Sequence, residues 1–138
     1  MSGIPYLTQE WLDMSTAVME PMPPCPGATF VMQCVMTDAP GGGDVVFHRV
    51  FDDGRLLRSV LADHGAPDVV LYSTYDDSIL HLTGGLPEKE AFRSGRIRPE
   101  GDVALLRTLT PLSRSAEYLA AVDEIARRTD FSAPTQPA

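Results

Sequence analysis

Two rhythms of apolar and polar positions run along this chain, and one gives way to the other near its middle. Trp11, Met14 and Val18 recur at helical spacing behind Thr8, a capping residue, and Glu10, an acid the helix dipole favours in a first turn. Together they predict a helix from Thr8 to Met19. Pro21, Pro23, Pro24 and Pro26 remove backbone donors, so Met22 and Cys25 fall on an extended connector. From Ala28 to Thr37 the period is two, with Phe30, Met32, Cys34 and Met36 on one face and Val31, Gln33, Val35 and Thr37 on the other. The run Ala39-Pro40-Gly41-Gly42-Gly43-Asp44 predicts a reversal into an antiparallel partner, Val45 to Phe51. Facing on that second strand is open, because Val46, His48 and Val50 compete with Val45, Phe47, Arg49 and Phe51. If the arginine faces water, His48 lies inward. A turn at Asp52-Asp53-Gly54-Arg55 leads to a third strand around Leu56 to Leu61. The break Asp63-His64-Gly65-Ala66-Pro67 precedes a fourth strand, Asp68 to Thr74, carrying Val69, Val70, Leu71 and Tyr72.

The second half is mostly helical. Thr74-Tyr75-Asp76-Asp77 has capping-box spacing ahead of Ile79, Leu80 and Leu82, and Gly84-Gly85 stops that short helix. Pro87 can open another over Glu88 to Ser94, burying Ala91 and Phe92 and ending at Gly95. A brief strand at Arg96-Ile97-Arg98 is followed by Gly101-Asp102 capping a helix from Val103 to Leu109. Thr110-Pro111 leads into a C-terminal helix with Tyr118, Val122 and Ile125 on one side. Thr129 to Ala138 has no apolar periodicity and is expected to be a frayed tail. Strands in one block and helices in the next give an α+β class, helices layered on a sheet.

Composition narrows the partners. The 138 residues are the length of one domain, and 19 acidic against 11 basic residues give a net charge of −8, which argues against nucleic acid and anionic membrane surfaces. No run approaches the ~20 apolar residues of a membrane span. The N-terminal residues lack a signal-peptide pattern, so the expectation is a soluble, cytoplasmic protein. Cys25 and Cys34 suggest reduced thiols and not a disulfide framework. His48, His64 and His81 form no short-range ligand pair, so neither a metal nor a cofactor is expected.

An ordered set of residues is more specific. It comprises Asp68-Val69-Val70-Leu71-Tyr72-Ser73-Thr74, then Leu82-Thr83-Gly84-Gly85-Leu86, then Ala91-Phe92-Arg93-Ser94-Gly95-Arg96-Ile97-Arg98, then Gly101-Asp102 with Leu105-Leu106. This series resembles the sterol carrier protein 2 family, without gaps over about forty residues. Leu7 to Asp13 looks like the N-terminal helix of its small actinobacterial members. The resemblance implies a curved, mostly antiparallel five-stranded sheet with helices on one face. On that reading residues 1–26 form an N-terminal helix and connector, and residues 27–128 a lipid-binding module. Pro99 falls where the family usually keeps a strand residue, so the fifth strand should be short or at an edge.

The family's apolar tunnel implies a carrier or sequestering protein for a lipid, fatty acyl or sterol-like molecule. Whether the Phe30, Met32, Cys34 and Met36 stripe lines a cavity or fills a core is open from the residues alone, although flexible thioethers suit a pocket that remodels. The expected ligand-binding set adds His48, Leu71, Phe92, Leu80, Leu105, Leu106 and Leu109. Phe92 matches a family position beside the tunnel. Residues 89–114 are locally basic, making Arg93, Arg96 and Arg98 candidates for an anionic head group at the mouth. Two other functions compete. An enzyme in the same pocket would draw on His48, Tyr72 and Asp76 for acid–base chemistry, and an interaction or homodimerisation module would have a filled core.

Overall fold

A computed structural model gives the architecture and describes residues 3–132. A two-residue strand β1 (Ile4–Pro5) and helix α1 (Gln9–Met19) precede four strands: β2 (Phe30–Thr37), β3 (Val45–Asp52), β4 (Arg55–Val60) and β5 (Val69–Thr74). Helices α2 (Tyr75–Leu82) and α3 (Glu88–Ser94) lead to strand β6 (Arg98–Gly101). Helices α4 (Val103–Arg107), α5 (Thr110–Ser113) and α6 (Ala116–Arg127) then lead to a two-residue strand β7 (Thr129–Asp130). The main sheet has five strands in the order β4-β3-β2-β5-β6, and only the β2–β5 pair is parallel. The class is α+β, as the pattern of elements predicts.

Local chemistry sets the element ends. Thr8, Thr74, Asp102 and Ser115 each accept a backbone N–H three residues on, from Trp11, Asp77, Leu105 and Tyr118, which fixes four helix starts. The last helix therefore starts at its own cap, Ser115, after a separate turn at Thr110–Ser113. Gly95 adopts φ 81° and closes α3, and the chain then buries Ile97 before pairing, so the fifth sheet strand begins at Arg98 and not at Arg96. With Pro99 in it, β6 is four residues long and lies at the sheet edge.

The C-terminal expectation needs correcting for its first residues. Thr129–Asp130 pairs parallel with Ile4–Pro5, Thr129 Oγ1 accepts from Trp11 Nε1 at 2.8 Å, and the Phe131 ring packs 5.2 Å from that of Tyr6. Aromatic contact and a donor that must be satisfied anchor this segment despite its lack of periodicity. Residues 133–138 of the expected tail lie outside the described residues.

One cross-sheet row shows how the sheet is laid out. Ser59, Arg49, Met32, Val69 and Gly101 are successive register partners across β4, β3, β2, β5 and β6. At its β6 end the backbones come very close. Asp68 Oδ2 accepts from Val31 N–H at 2.8 Å, Asp68 N–H donates to the Val31 carbonyl at 3.0 Å, and the Asp68 carbonyl accepts from Asp102 N–H at 2.9 Å. Gly101 sits beside this knot at φ +97°, where a Cβ would lie 2.6 Å from the Asp68 carbonyl oxygen. Gly101→Ala is expected to destabilise the protein by about 2 kcal/mol or more, since it adds backbone strain and a clash with an atom that is already bonded. A melting temperature equal to wild type would refute that account of the β5–β6 edge.

Candidate functional site

The sheet's inner face and the helices that cover it do not close on each other. A cavity of about 500 Å³ lies between them, within the size range of small-molecule sites. From the sheet it is lined by Met32, Cys34 and Met36 of β2, Phe47, Arg49 and Phe51 of β3, Leu71 and Ser73 of β5, and Pro99 of β6. The helical side contributes Trp11 and Met19 of α1, Leu82 of α2, Phe92 of α3, Leu106 of α4, and Tyr118, Val122 and Ile125 of α6, with Leu109 from the turn before α5. Three inner-face residues of β2 are thioethers or a thiol, so the floor of the cavity is soft and polarisable.

The structure places Met32, Cys34, Met36, Leu71, Phe92, Leu106 and Leu109, of the sequence-predicted set, around this cavity. Phe30 shares the same face but is buried behind the wall, its ring stacked 5.2 Å from Phe51. Leu105 packs on the cluster around Phe30 without lining the cavity, and Leu80 is 39% exposed on the outer side of α2. His48 is on the wrong side of the sheet for a ligand. Its Nδ1 lies 2.8 Å from the Ala62 carbonyl and its ring 4.9 Å from that of His64, under the loop after β4 that roofs the opposite face. Tyr72 and Asp76 also lie outside the lining, so the three acid–base candidates do not meet there.

The three head-group candidates are likewise turned outward. Arg93 pairs with Glu90 at 2.5 Å, Arg96 approaches Asp77 at 4.0 Å, and Arg98 stacks 5.4 Å over the Tyr72 ring on the outer face. In β6 the alternation puts Pro99 inward, which forces Arg98 and Glu100 out. None of the three head-group candidates lines the cavity. The arginines that do are Arg49 and Arg107, with Glu88 as the carboxylate among the lining residues.

Arg49 is the lining residue missed from the sequence, on the strand whose facing the sequence left open. Strand β3 turns Phe47, Arg49 and Phe51 inward and His48 outward, because antiparallel register sets Phe51, Arg49 and Phe47 opposite Phe30, Met32 and Cys34. The available signal was this pairing. Once the glycine-rich reversal is accepted, the stripe with two phenylalanines must join the Phe30 stripe, and the arginine goes with it.

Two phenols and a thiol in the wall are held neutral. Burial pushes the Tyr6 phenol well above its ordinary range, although Tyr6 Oη lies 2.8 Å from Ser78 Oγ. Burial likewise raises the Tyr118 phenol and lifts the Cys34 thiol to about 11. Among the described residues, no group of three or more His, Cys, Asp or Glu gathers to hold a metal ion.

No protein-family model matches this sequence, and no curated protein sequence does. Solved structures match its backbone closely. A crystal structure of sterol carrier protein 2 superposes over 88% of this chain and 97% of its own at TM-score 0.63, with 14% identity. The sterol carrier protein domain 2 of Helicoverpa armigera covers 94% of this chain and 98% of its own at TM-score 0.59, with 18% identity. This chain has the sterol carrier protein 2 fold. The palmitated sterol carrier protein 2-like 2 of Aedes aegypti shares that fold over 79% of this chain and 92% of its own, at TM-score 0.60 and 18% identity. Identities this low leave the lining side chains of the sterol carrier fold to be judged on their own chemistry.

A thiol in this wall is testable directly. With its ionisation pushed up to about 11, Cys34 is expected to react with iodoacetamide at pH 8 roughly a hundredfold more slowly than an unhindered thiol. Peptide mapping after timed alkylation measures it. Modification of Cys34 at the rate of a free thiol would show that water reaches the wall freely.

Proposed function

We propose that this protein binds a hydrophobic small molecule in the cavity between its sheet and helices and carries or sequesters it. The observation behind this reading is the cavity itself, about 500 Å³ in the place where a domain of this size would ordinarily close its core, with walls that are mostly apolar. The fold adds support, since one solved protein that shares it is described as palmitated. An acyl chain or another lipid-like molecule suits the soft walls of Met32, Met36, Leu71, Leu106 and Phe92. An enzyme in the same pocket gains little from the geometry, because His48, Tyr72 and Asp76 lie away from the lining. An interaction module with a filled core is not what the open cavity favours. Among the described residues no helix is long and apolar enough to cross a membrane, and Cys25 and Cys34 are free thiols. Free thiols fit the reducing cytoplasmic setting expected for such a carrier.

Native mass spectrometry with lipid extraction on gently purified protein tests the reading, and a filled cavity supplies the control. Leu71→Trp places a large ring on the inner face of β5 and is expected to abolish co-purifying ligand while leaving the melting temperature unchanged or raised. Wild-type protein that carries no apolar molecule, and that shows no thermal shift with fatty acids, acyl thioesters or sterols, would overturn the proposal.

A further inference from the structure

Arg49 is a cation on the inner face of a mostly apolar sheet wall, and its surroundings do not neutralise it. Its guanidinium lies 5.3 Å from the Phe47 ring centroid and 5.8 Å from that of Trp11. Nη1 uses its protons on two hydroxyls, donating to Ser15 Oγ of α1 and Ser59 Oγ of β4, both at 3.2 Å. Nε and Nη2 have no partner among the described residues, and no carboxylate oxygen of those residues comes within 4 Å of the side chain. Cys34 from β2, Tyr6 from the segment before α1 and Tyr118 from α6 face it, and each is a thiol or phenol that burial keeps protonated. The other ionisable lining groups are Glu88, Arg107 and His81, the last with its Nδ1 2.8 Å from the Leu86 carbonyl.

A buried charge without a partner is costly, and replacing one by an apolar side chain is often neutral or favourable. The cost here is not offset by a salt bridge, yet the residue is held in place by two serines and two rings. What remains open is the Nε and Nη2 edge, the edge with which a guanidinium takes both oxygens of a carboxylate.

We infer that Arg49, clamped by Ser15 and Ser59, is an acid-receiving subsite inside the cavity, and that the ligand is an apolar carboxylic acid bound with its carboxylate inward against this residue. This rests on the cavity reading above and deepens it. A singly charged acid matches a single guanidinium, whereas a phosphate monoester would bring close to two negative charges against one facing cation. Ser15 Oγ also donates to the Leu12 carbonyl at 2.8 Å, and Ser59 Oγ lies 2.9 Å from Thr16 Oγ1. The clamp hydroxyls therefore keep partners if the arginine is removed, which makes Arg49→Met a mild change for the fold.

The test compares hexadecanoic acid with hexadecan-1-ol by calorimetry on wild type and Arg49→Met at pH 7. Wild type is expected to prefer the acid on the order of tenfold or more, the strength of a charge-assisted bond out of water. Arg49→Met is expected to lose the preference for the acid over the alcohol and to melt no lower than wild type in the absence of ligand. In wild type alone, the Arg49 Nε–H resonance is expected to shift on adding hexadecanoic acid and to stay in place with the alcohol, so the inference survives or fails even if the variant does not fold. Equal binding of acid and alcohol by wild type sinks the subsite and leaves the cavity reading standing. So does an acid preference that persists in Arg49→Met, or an Arg49 resonance that ignores the acid. Wild type that binds neither probe overturns both.

Discussion

Strand β2 carries the constraint on which the rest of the molecule depends. It pairs antiparallel with β3 along nearly its whole length and parallel with β5, so both halves of the sheet take their register from it. A parallel neighbour needs a long connection, and here that connection is the β3–β4 hairpin followed by the loop to β5. Because side chains alternate, this register fixes at once which stripe of each strand faces the helices. Met32, Cys34 and Met36 face in, and Phe47, Arg49 and Phe51 follow by pairing. A slip of one residue in the hairpin would exchange Arg49 for His48 at the centre of the wall.

That register also explains why a cavity persists instead of collapsing. Three of the covering helices are short: α3 has seven residues, α4 five and α5 four. Caps and turns set where they begin and end, and aromatic anchors near the chain ends fix the helices at the rim of the sheet. Trp11 is tied to Thr129, and Tyr6 to Trp11 and Phe131. With anchors at the periphery, the side chains at the centre of the inner face do not span the gap to the helices. The same arrangement makes the stability of the empty protein lower than its apolar content suggests, and lets an apolar occupant raise it.

Much of this was legible in the sequence. Period-two alternation in 28–37, the glycine reversal and the caps at Thr8 and Thr74 each have one strong physical reading, and the elements formed accordingly. The ordered motifs from Asp68 to Leu106 pointed to a fold that the backbone shares with sterol carrier protein 2 structures. The misreadings came where a general rule met a local exception. An arginine in a strand reads as solvent-facing, because isolated charges are excluded from cores, and that general rule kept His48 among the ligand candidates on a strand whose facing was open. Leucines in a short helix read as wall, but an eight-residue helix has room for an exposed one, and Leu80 took that position. Basic residues grouped along the chain read as a charged mouth, yet strand alternation and neighbouring acids turned Arg93, Arg96 and Arg98 outward.

The exception at Arg49 has the most functional content, because local and global consistency otherwise runs through this chain. Sequences that specify a fold tend to break their own rules at sites that do something. A core arginine serving only to hold α1 against β4 would be an expensive tie, since Ser15, Thr16 and Ser59 already reach one another or the backbone at that seam. An apolar residue at the same position would complete the wall with Met32 and Phe47 and remove a desolvated charge. The guanidinium has a use there when something acidic comes to it, and the apolar walls decide that the acid arrives on an apolar body. Charge and cavity are thus complementary halves of one recognition problem: the walls exclude water, and the excluded water is what makes a single cation discriminating.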